Sequence, residues 1–406
     1  MAHINVLVPT TTFPRFAGDY WANFLEEIFK HFSKDDIRIK VLCPHFKGAQ
    51  TTEILDSSIK IKRFRYFWPE TLERVSYGDG VAINIRKNPF ILLLFPFFGL
   101  FFLLNILKEY KKCDLIHAQL GPSGLISIIA MAFVATKKPI ITSFYGRDVS
   151  NSILIRLLYK PLFRYGSIFL VLSEEMKQTL KSWGCDENKI KIFPIWIDTK
   201  RFENRNKKEK DKTKLVFVGR FIEKKGLIWG IRAFNECYKK DNKLRLVLVG
   251  DGPEKDNIKK ELKLLGIKHA VTIINNTCCN KPRDITVKML KKSDIFVLPS
   301  ITSSDRDKEG TPIVLIEAQA AGLPCISTKH AGIPEIVIDK RTGLLSNEKD
   351  YKAMAENILC LIRNKKMYKS MKKEALRNAK KYDVHERYKE LRKLYWQIYN
   401  QHHKIS

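Results

Sequence analysis

The chain is short of acid. Against 73 lysines and arginines stand only 43 aspartates and glutamates, a net charge of +30 over 406 residues. Two readings of that excess stay open: an anionic partner (nucleic acid, anionic lipid or a phosphorylated small molecule), or lysine placed on solvated faces. Metal-type cysteine patterns are also missing. The eight cysteines (Cys43, Cys113, Cys185, Cys237, Cys278, Cys279, Cys325 and Cys360) form no C-x-x-C, and no histidine/cysteine cluster has zinc spacing. Reduced thiols in a cytoplasmic protein are the simplest expectation. The opening "MAHINVLVP" has no basic run ahead of its apolar residues, so it reads as a first strand rather than a secretory signal. No sequence repeat is evident. No nucleic-acid motif appears, and the basic residues are spread rather than set as a stacking platform, which argues against nucleic acid as the partner.

What is present is an alternation of strand and helix patterns, in two halves. The first half holds the β-type runs "INVLVP", "IRIKVLCP", "CDLIHA", "PIITSFYG" and "SIFLVLS", separated by helical stretches. The second restarts after the polar stretch "ENRNKKEKDKTK" (203–214) with "LVFVG", "LRLVLVG", "VTIIN", "DIFVLPS" and "PCIST". Such alternation predicts an α/β fold with parallel sheets and crossover helices, and 406 residues suit two or three domains. We expect a first domain over 1–196, a second over 197–388, and a final helix over 389–406 that could cross back to the first.

Three strand ends in the second half carry candidate chemistry. "VFVGRFIEKKG" puts Gly219, Arg220 and Lys225 just past a strand; "LVLVGDGPE" ends a strand in Gly250 and Gly252; "SDRDKEGTPIVLIEAQAAGLP" follows "DIFVLPS". Open α/β sheets bind ligands at strand carboxyl ends. Pro312 suits the first position of a helix, which would aim the backbone N–H groups of Gly310 to Val314 outward as an anion site. Arg220 and Lys225 would add two positive charges for a diphosphate. Glu309 and Glu317, eight apart, are acceptors suited to sugar or ribose hydroxyls.

The stretch "EGTPIVLIEAQAAGLPCISTKHAGIPEIVIDKRTGLL" strongly resembles the signature of retaining glycosyltransferases of family four, which have the GT-B fold of two Rossmann-like domains facing across a cleft. "GRFIEKKG" is similar to that family's G-R-x4-K-G element, and Glu309 to Glu317 to its E-x7-E; "FPRFAGDYWANFLEEI", "DLIHAQLGPSG" and "SFYGRDVS" look like its first-domain elements. The resemblance implies that Arg220 and Lys225 bind the donor diphosphate, Glu309 the transferred sugar and Glu317 the ribose. It implies that backbone near Gly310, Thr311, Pro312 and Ile313 holds phosphate or sugar, with Gly219 and Gly18 allowing close backbone approach. It places His117 near the reacting sugar carbon, whereas the residues alone read it as a satisfied histidine at a strand end. The sequence departs from the family in having one glycine in "AGDYW" and Asn275-Asn276 after "VTII", which leaves the nucleobase open. "DRD" (305–307) mimics a metal motif, but the resemblance implies enzymes that need no divalent metal and no other cofactor.

That implied activity is transfer of a hexose from a nucleoside-diphosphate sugar, with retention, to a lipid-linked or growing surface-glycan acceptor. A sugar phosphorylase, or an enzyme of the same fold with a soluble acceptor, is the alternative.

One segment tests this picture. "NPFILLLFPFFGLFFLLNILK" (88–108) is apolar enough for a membrane span. Strands of one domain lie on both sides of it, and lysine and arginine flank both ends, so a span is not expected. Either it is a buried helix or hairpin broken at Pro96 and Gly99, or it lies in a membrane interface with basic neighbours gripping anionic lipid. The cations and aromatics of "KIKRFRYFW" (60–68) favour the second, and with it a cytoplasmic protein peripheral on the inner face of the cell membrane.

Overall fold

The computed structural model describes residues 3–16, 19, 22–32, 36–77, 81–146, 148–149, 152–203, 213–276 and 282–405. The chain divides into two compact units: Met1–Pro194 with Arg387–Ser406, and Ile195–Glu386. The polar stretch 203–214, expected as a linker, falls mostly outside the described residues.

Unit 1 is built on eight strands: β1 (Ile4–Pro9), β2 (Ile37–Pro44), β3 (Thr52–Asp56), β4 (Ile59–Phe64), β5 (Leu115–Gln119), β6 (Ile140–Ser143), β7 (Ile168–Val171) and β8 (Ile190–Ile192). Their order is β3-β4-β2-β1-β5-β6-β7-β8. Every pairing is parallel except β3 with β4. Val6 lies beside Ile39 on one side and Leu115 on the other. All three are buried, the continuous apolar run expected of strands covered on both faces.

Unit 2 has six parallel strands: β9 (Lys214–Val218), β10 (Arg245–Val249), β11 (Val271–Ile274), β12 (Ile295–Leu298), β13 (Cys325–Thr328) and β14 (Gly343–Ser346), in the order β11-β10-β9-β12-β13-β14. The order reverses between β9 and β12. The loops leaving those two strands are therefore neighbours, the usual ligand position of a doubly wound sheet.

The apolar run forms a short 3-10 turn (Pro89–Leu94) and one continuous helix, Phe95–Tyr110. The break expected at Pro96 and Gly99 is absent. Pro96 sits in the first turn, where its missing N–H has no partner to lose, so the helix begins there. One face, Phe98, Phe102, Ile106 and Tyr110, recurs every four residues and is buried; Phe102 stacks on Phe64 of β4 at 4.9 Å. The other face is open: Leu100 is 51% exposed and Phe97 46%, and Phe90 and Leu93 in the preceding turn are exposed as well. By length and composition the segment Pro89–Tyr110 could cross a membrane, but its inner face is part of the unit 1 core.

Candidate active site

In unit 2 the backbone first makes the space. Gly226 follows the short turn Glu223–Lys225 with φ of 62°, and a Cβ there would run into the Pro299 carbonyl oxygen. Only glycine lets the turn after β9 approach the end of β12 this closely. The backbone N–H of Ile301 donates to the Lys224 carbonyl at 2.9 Å, tying the two loops together.

That closeness brings Lys225 to Glu309, 84 positions apart in sequence: Nζ lies 2.7 Å from Oε1. Both side chains are largely buried. Burial by itself raises the Glu309 carboxyl, but the adjacent Lys225 ammonium, with Lys224 and the Ser300 hydroxyl, holds the group below the usual carboxylate range. Ser300 Oγ also donates to Glu309 Oε1 at 3.2 Å. Lys224 pairs with Asp307 at 3.1 Å, and Arg220 lies exposed at the mouth of the same loop.

The helix expected after Thr311 runs Ile313–Ala320, one residue later than the sequence suggests: Pro312 is the N-cap, in extended conformation, rather than the first helical residue. Proline has no side-chain oxygen to cap with, and no side chain caps this end. Its first N–H groups therefore stay available, and the positive end of the helix dipole points where an anion can sit. Glu317 lies inside the helix and meets Arg283 at 3.4 Å. The two glutamates thus answer to different cations.

Sequence reasoning missed a second layer. The Glu309 N–H donates to His330 Nε2 at 3.0 Å, and His330 Nδ1 lies 2.6 Å from Glu348 Oε1. Because Nε2 accepts, the proton resides on Nδ1 and is donated to Glu348. Glu348 is fixed in turn by the backbone N–H of Thr302 at 2.9 Å. His330 thereby sets the backbone direction of Glu309. Nothing local in "STKHAGIP" signals this; it follows from the adjacency of β12 and β13. The "DRD" carboxylates are also engaged, Asp305 by Ser303 and Asp307 by Lys224.

Near the nucleobase region named in the sequence, Asn275 Nδ2 donates to Asp251 at 2.6 Å, and Asp251 pairs with Lys255 at 3.0 Å.

In unit 1, His117 is the middle residue of β5 and is buried. Its Nε2 is 2.8 Å from Ser143 Oγ and its Nδ1 2.5 Å from Tyr395 Oη, so both ring nitrogens have partners within the unit. Burial pushes its pKa down to about 3, which makes it a neutral ring at ordinary pH. The structure holds it as the internally satisfied histidine that its residue context alone suggests. Gln119 beside it accepts from Tyr145 Oη at 2.5 Å, and Asp148 accepts from the N–H groups of Tyr145, Gly146 and Gly121 at 3.0, 2.9 and 3.1 Å. The segments "DLIHAQLGPSG" and "SFYGRDVS" are thus joined. Gly18 lies outside the described residues.

Comparison with known proteins agrees with this architecture. The family model for glycosyl transferases group 1 matches residues 198–378, and that for glycosyltransferase family 4 matches 22–201. Among solved structures, Anabaena HepE in complex with UDP superposes with a TM-score of 0.71 at 15% identity, over 97% of this chain and 100% of HepE. The chain belongs to the family 4, group 1 type glycosyltransferases and has the GT-B fold. Among curated relatives, WcaL of Salmonella typhimurium, named as a colanic acid biosynthesis glycosyltransferase, is 32% identical over 249 residues. That match takes in 60% of this chain, and the chain spans only 60% of the relative's length. The N,N'-diacetylbacillosaminyl-diphospho-undecaprenol alpha-1,3-N-acetylgalactosaminyltransferase of Campylobacter jejuni is 26% identical over 73% of this chain and 79% of its own.

Proposed function

We propose that this protein is a retaining, metal-independent glycosyltransferase that moves a hexose from a nucleoside-diphosphate sugar to an acceptor in envelope polysaccharide synthesis. The observation that carries this is the buried Lys225–Glu309 pair beside the uncapped start of Ile313–Ala320. A donor diphosphate takes Lys225 and Arg220 as counter-charges and the helix amides as hydrogen-bond donors, so the charge that grows on the leaving group meets preset positive groups. Glu309, released from Lys225, accepts a hydroxyl of the transferred sugar, and Glu317 accepts the ribose. We assign no covalent nucleophile: Glu309 is taken up by the sugar hydroxyl, and its backbone N–H is held by His330. The acceptor hydroxyl therefore attacks from the face the phosphate leaves, and its proton passes to the departing phosphate oxygen. His117 contributes as a neutral ring fixing β5; touching the sugar would require it to give up Ser143 or Tyr395.

HepE was solved with UDP and the Campylobacter relative is named for a diphospho-undecaprenol-linked substrate. By that analogy the donor here is of the UDP-sugar type and the acceptor is lipid-linked. The open face of Phe95–Tyr110 supports a protein working at the inner face of the cell membrane, where such an acceptor lies. The test is a melting-temperature screen over UDP, GDP and ADP sugars, followed by transfer assays in EDTA. One nucleoside diphosphate should stabilise the protein, and transfer should survive chelation. Indifference to all three donors, or complete loss in EDTA restored by Mn²⁺, would overturn the reading.

A further inference from the structure

Unit 1 holds a cavity lined by none of the residues assigned to the donor site. It has a volume of 410 Å³ and opens at the entrance ends of β1 and β2, where Asn5, Arg38 and Ile39 lie. A cavity of this size suits one small ligand group rather than a polymer.

Its charge comes from strand alternation. Arg38 and Lys40 on β2, and Lys60 and Lys62 on β4, all project to the face that also carries Phe64. The helix Phe95–Tyr110 covers the upper part of that face through Phe98 and Phe102, and its last turn brings Glu109 to the cavity. The lower part is left open as the cavity. The β2–β4 register sets Lys40 directly beside Lys60, two like charges on neighbouring strands, an arrangement that is unfavourable unless something anionic lies between.

The one lining carboxylate does not fill that role for all of them. Glu109 is bound by Lys40 at 2.7 Å and by Lys62 at 3.0 Å, with Lys112 at 4.0 Å. Among the described residues no carboxylate pairs with Arg38 or Lys60. Four cations, Arg38, Lys40, Lys60 and Lys112, therefore line the cavity against one carboxylate.

We propose that this cavity binds a phosphate monoester. A dianionic, compact group with several acceptor oxygens answers a guanidinium and three ammonium groups converging from two strands and a helix end, as a singly charged carboxylate would not. The phosphate can be free or the headgroup of an anionic lipid. The open apolar face of the adjoining helix would hold acyl chains in the second case.

The test uses the full chain and two double variants. Arg38→Gln with Lys60→Gln removes two cavity cations; Lys108→Gln with Lys111→Gln removes the same charge from the nearby surface. All four side chains are exposed, so both variants keep the fold, which circular dichroism checks. Inorganic phosphate, followed by ³¹P line width and melting temperature, should bind wild type and the surface variant. It should bind the cavity variant at least tenfold more weakly, since each cation near an anionic surface is worth about fivefold. Sedimentation with vesicles containing phosphatidic acid then separates the sources. A loss confined to the cavity variant identifies the lipid headgroup; phosphate loss with unchanged sedimentation identifies free phosphate. Equal binding of both probes by the two variants would overturn the site and leave only diffuse charge.

Discussion

Lys225 and Arg220 were indistinguishable as sequence positions, each a cation next to a glycine, and the structure separates them. Lys225 is buried against Glu309, whereas Arg220 is exposed. Replacing either with alanine should reduce transfer by roughly 100-fold, the scale of one lost transition-state charge stabiliser. Only Lys225→Ala should also lower thermal stability, because it leaves a buried carboxylate unpaired; equal melting temperatures in the two variants would contradict the pairing. His330 should behave differently again. His330→Phe removes the acceptor of the Glu309 N–H, and we expect kcat to fall at least tenfold, with donor affinity, read from the UDP melting shift, nearly unchanged. His117 gives a pH test. Its folded pKa of about 3 lies below the ordinary 6.5, so the folded state binds fewer protons between those values. Its contribution to stability is full above pH 6.5 and is lost as pH falls toward 3. His117→Gln should flatten the acid limb of the unfolding free energy by up to one proton; an unchanged slope would show that burial does not hold this ring neutral.

At the scale of elements, the helix Phe95–Tyr110 resolves a question that composition could not. Its residues are apolar all round, so periodicity was silent, yet the fold uses one face as core and leaves the other bare. Serine at Phe97, Leu100, Phe101 and Leu104 should leave a folded protein with an intact donor-induced melting shift and weakened binding to anionic vesicles. Serine at Phe98 and Phe102 should unfold unit 1, at about 3 kcal/mol for each large-to-small core change. Vesicle binding by the first variant equal to wild type would remove this apolar face from the account.

For the whole molecule, the charge of +30 and the apolar face predict two components of membrane affinity. The electrostatic part should fall as salt rises, since the screening length drops from about 10 Å at 0.1 M to about 3 Å at 1 M, and the apolar part should persist. Sedimentation with anionic vesicles that disappears entirely at 1 M salt would assign the affinity to charge alone.

Local pattern determined a good deal of this protein by itself. The repeated apolar strands, the glycines at their ends and the Glu309–Glu317 spacing were enough to indicate two parallel α/β units and the loops that carry Arg220, Lys225 and Glu309. These are short-range properties: a buried strand must be apolar, and a tight approach must be glycine, wherever the chain later goes. Contacts between segments distant in sequence were decided only by tertiary structure. Strand order put the loop after β9 against the one after β12 and so joined Lys225 to Glu309. The adjacency of β12 and β13 made His330 the acceptor behind Glu309, and Tyr395, in a helix at the far end of the chain, closed off His117. A residue's type limits which bonds it can make, but which partner it meets depends on the order in which strands are laid down, and no window along the sequence contains that order.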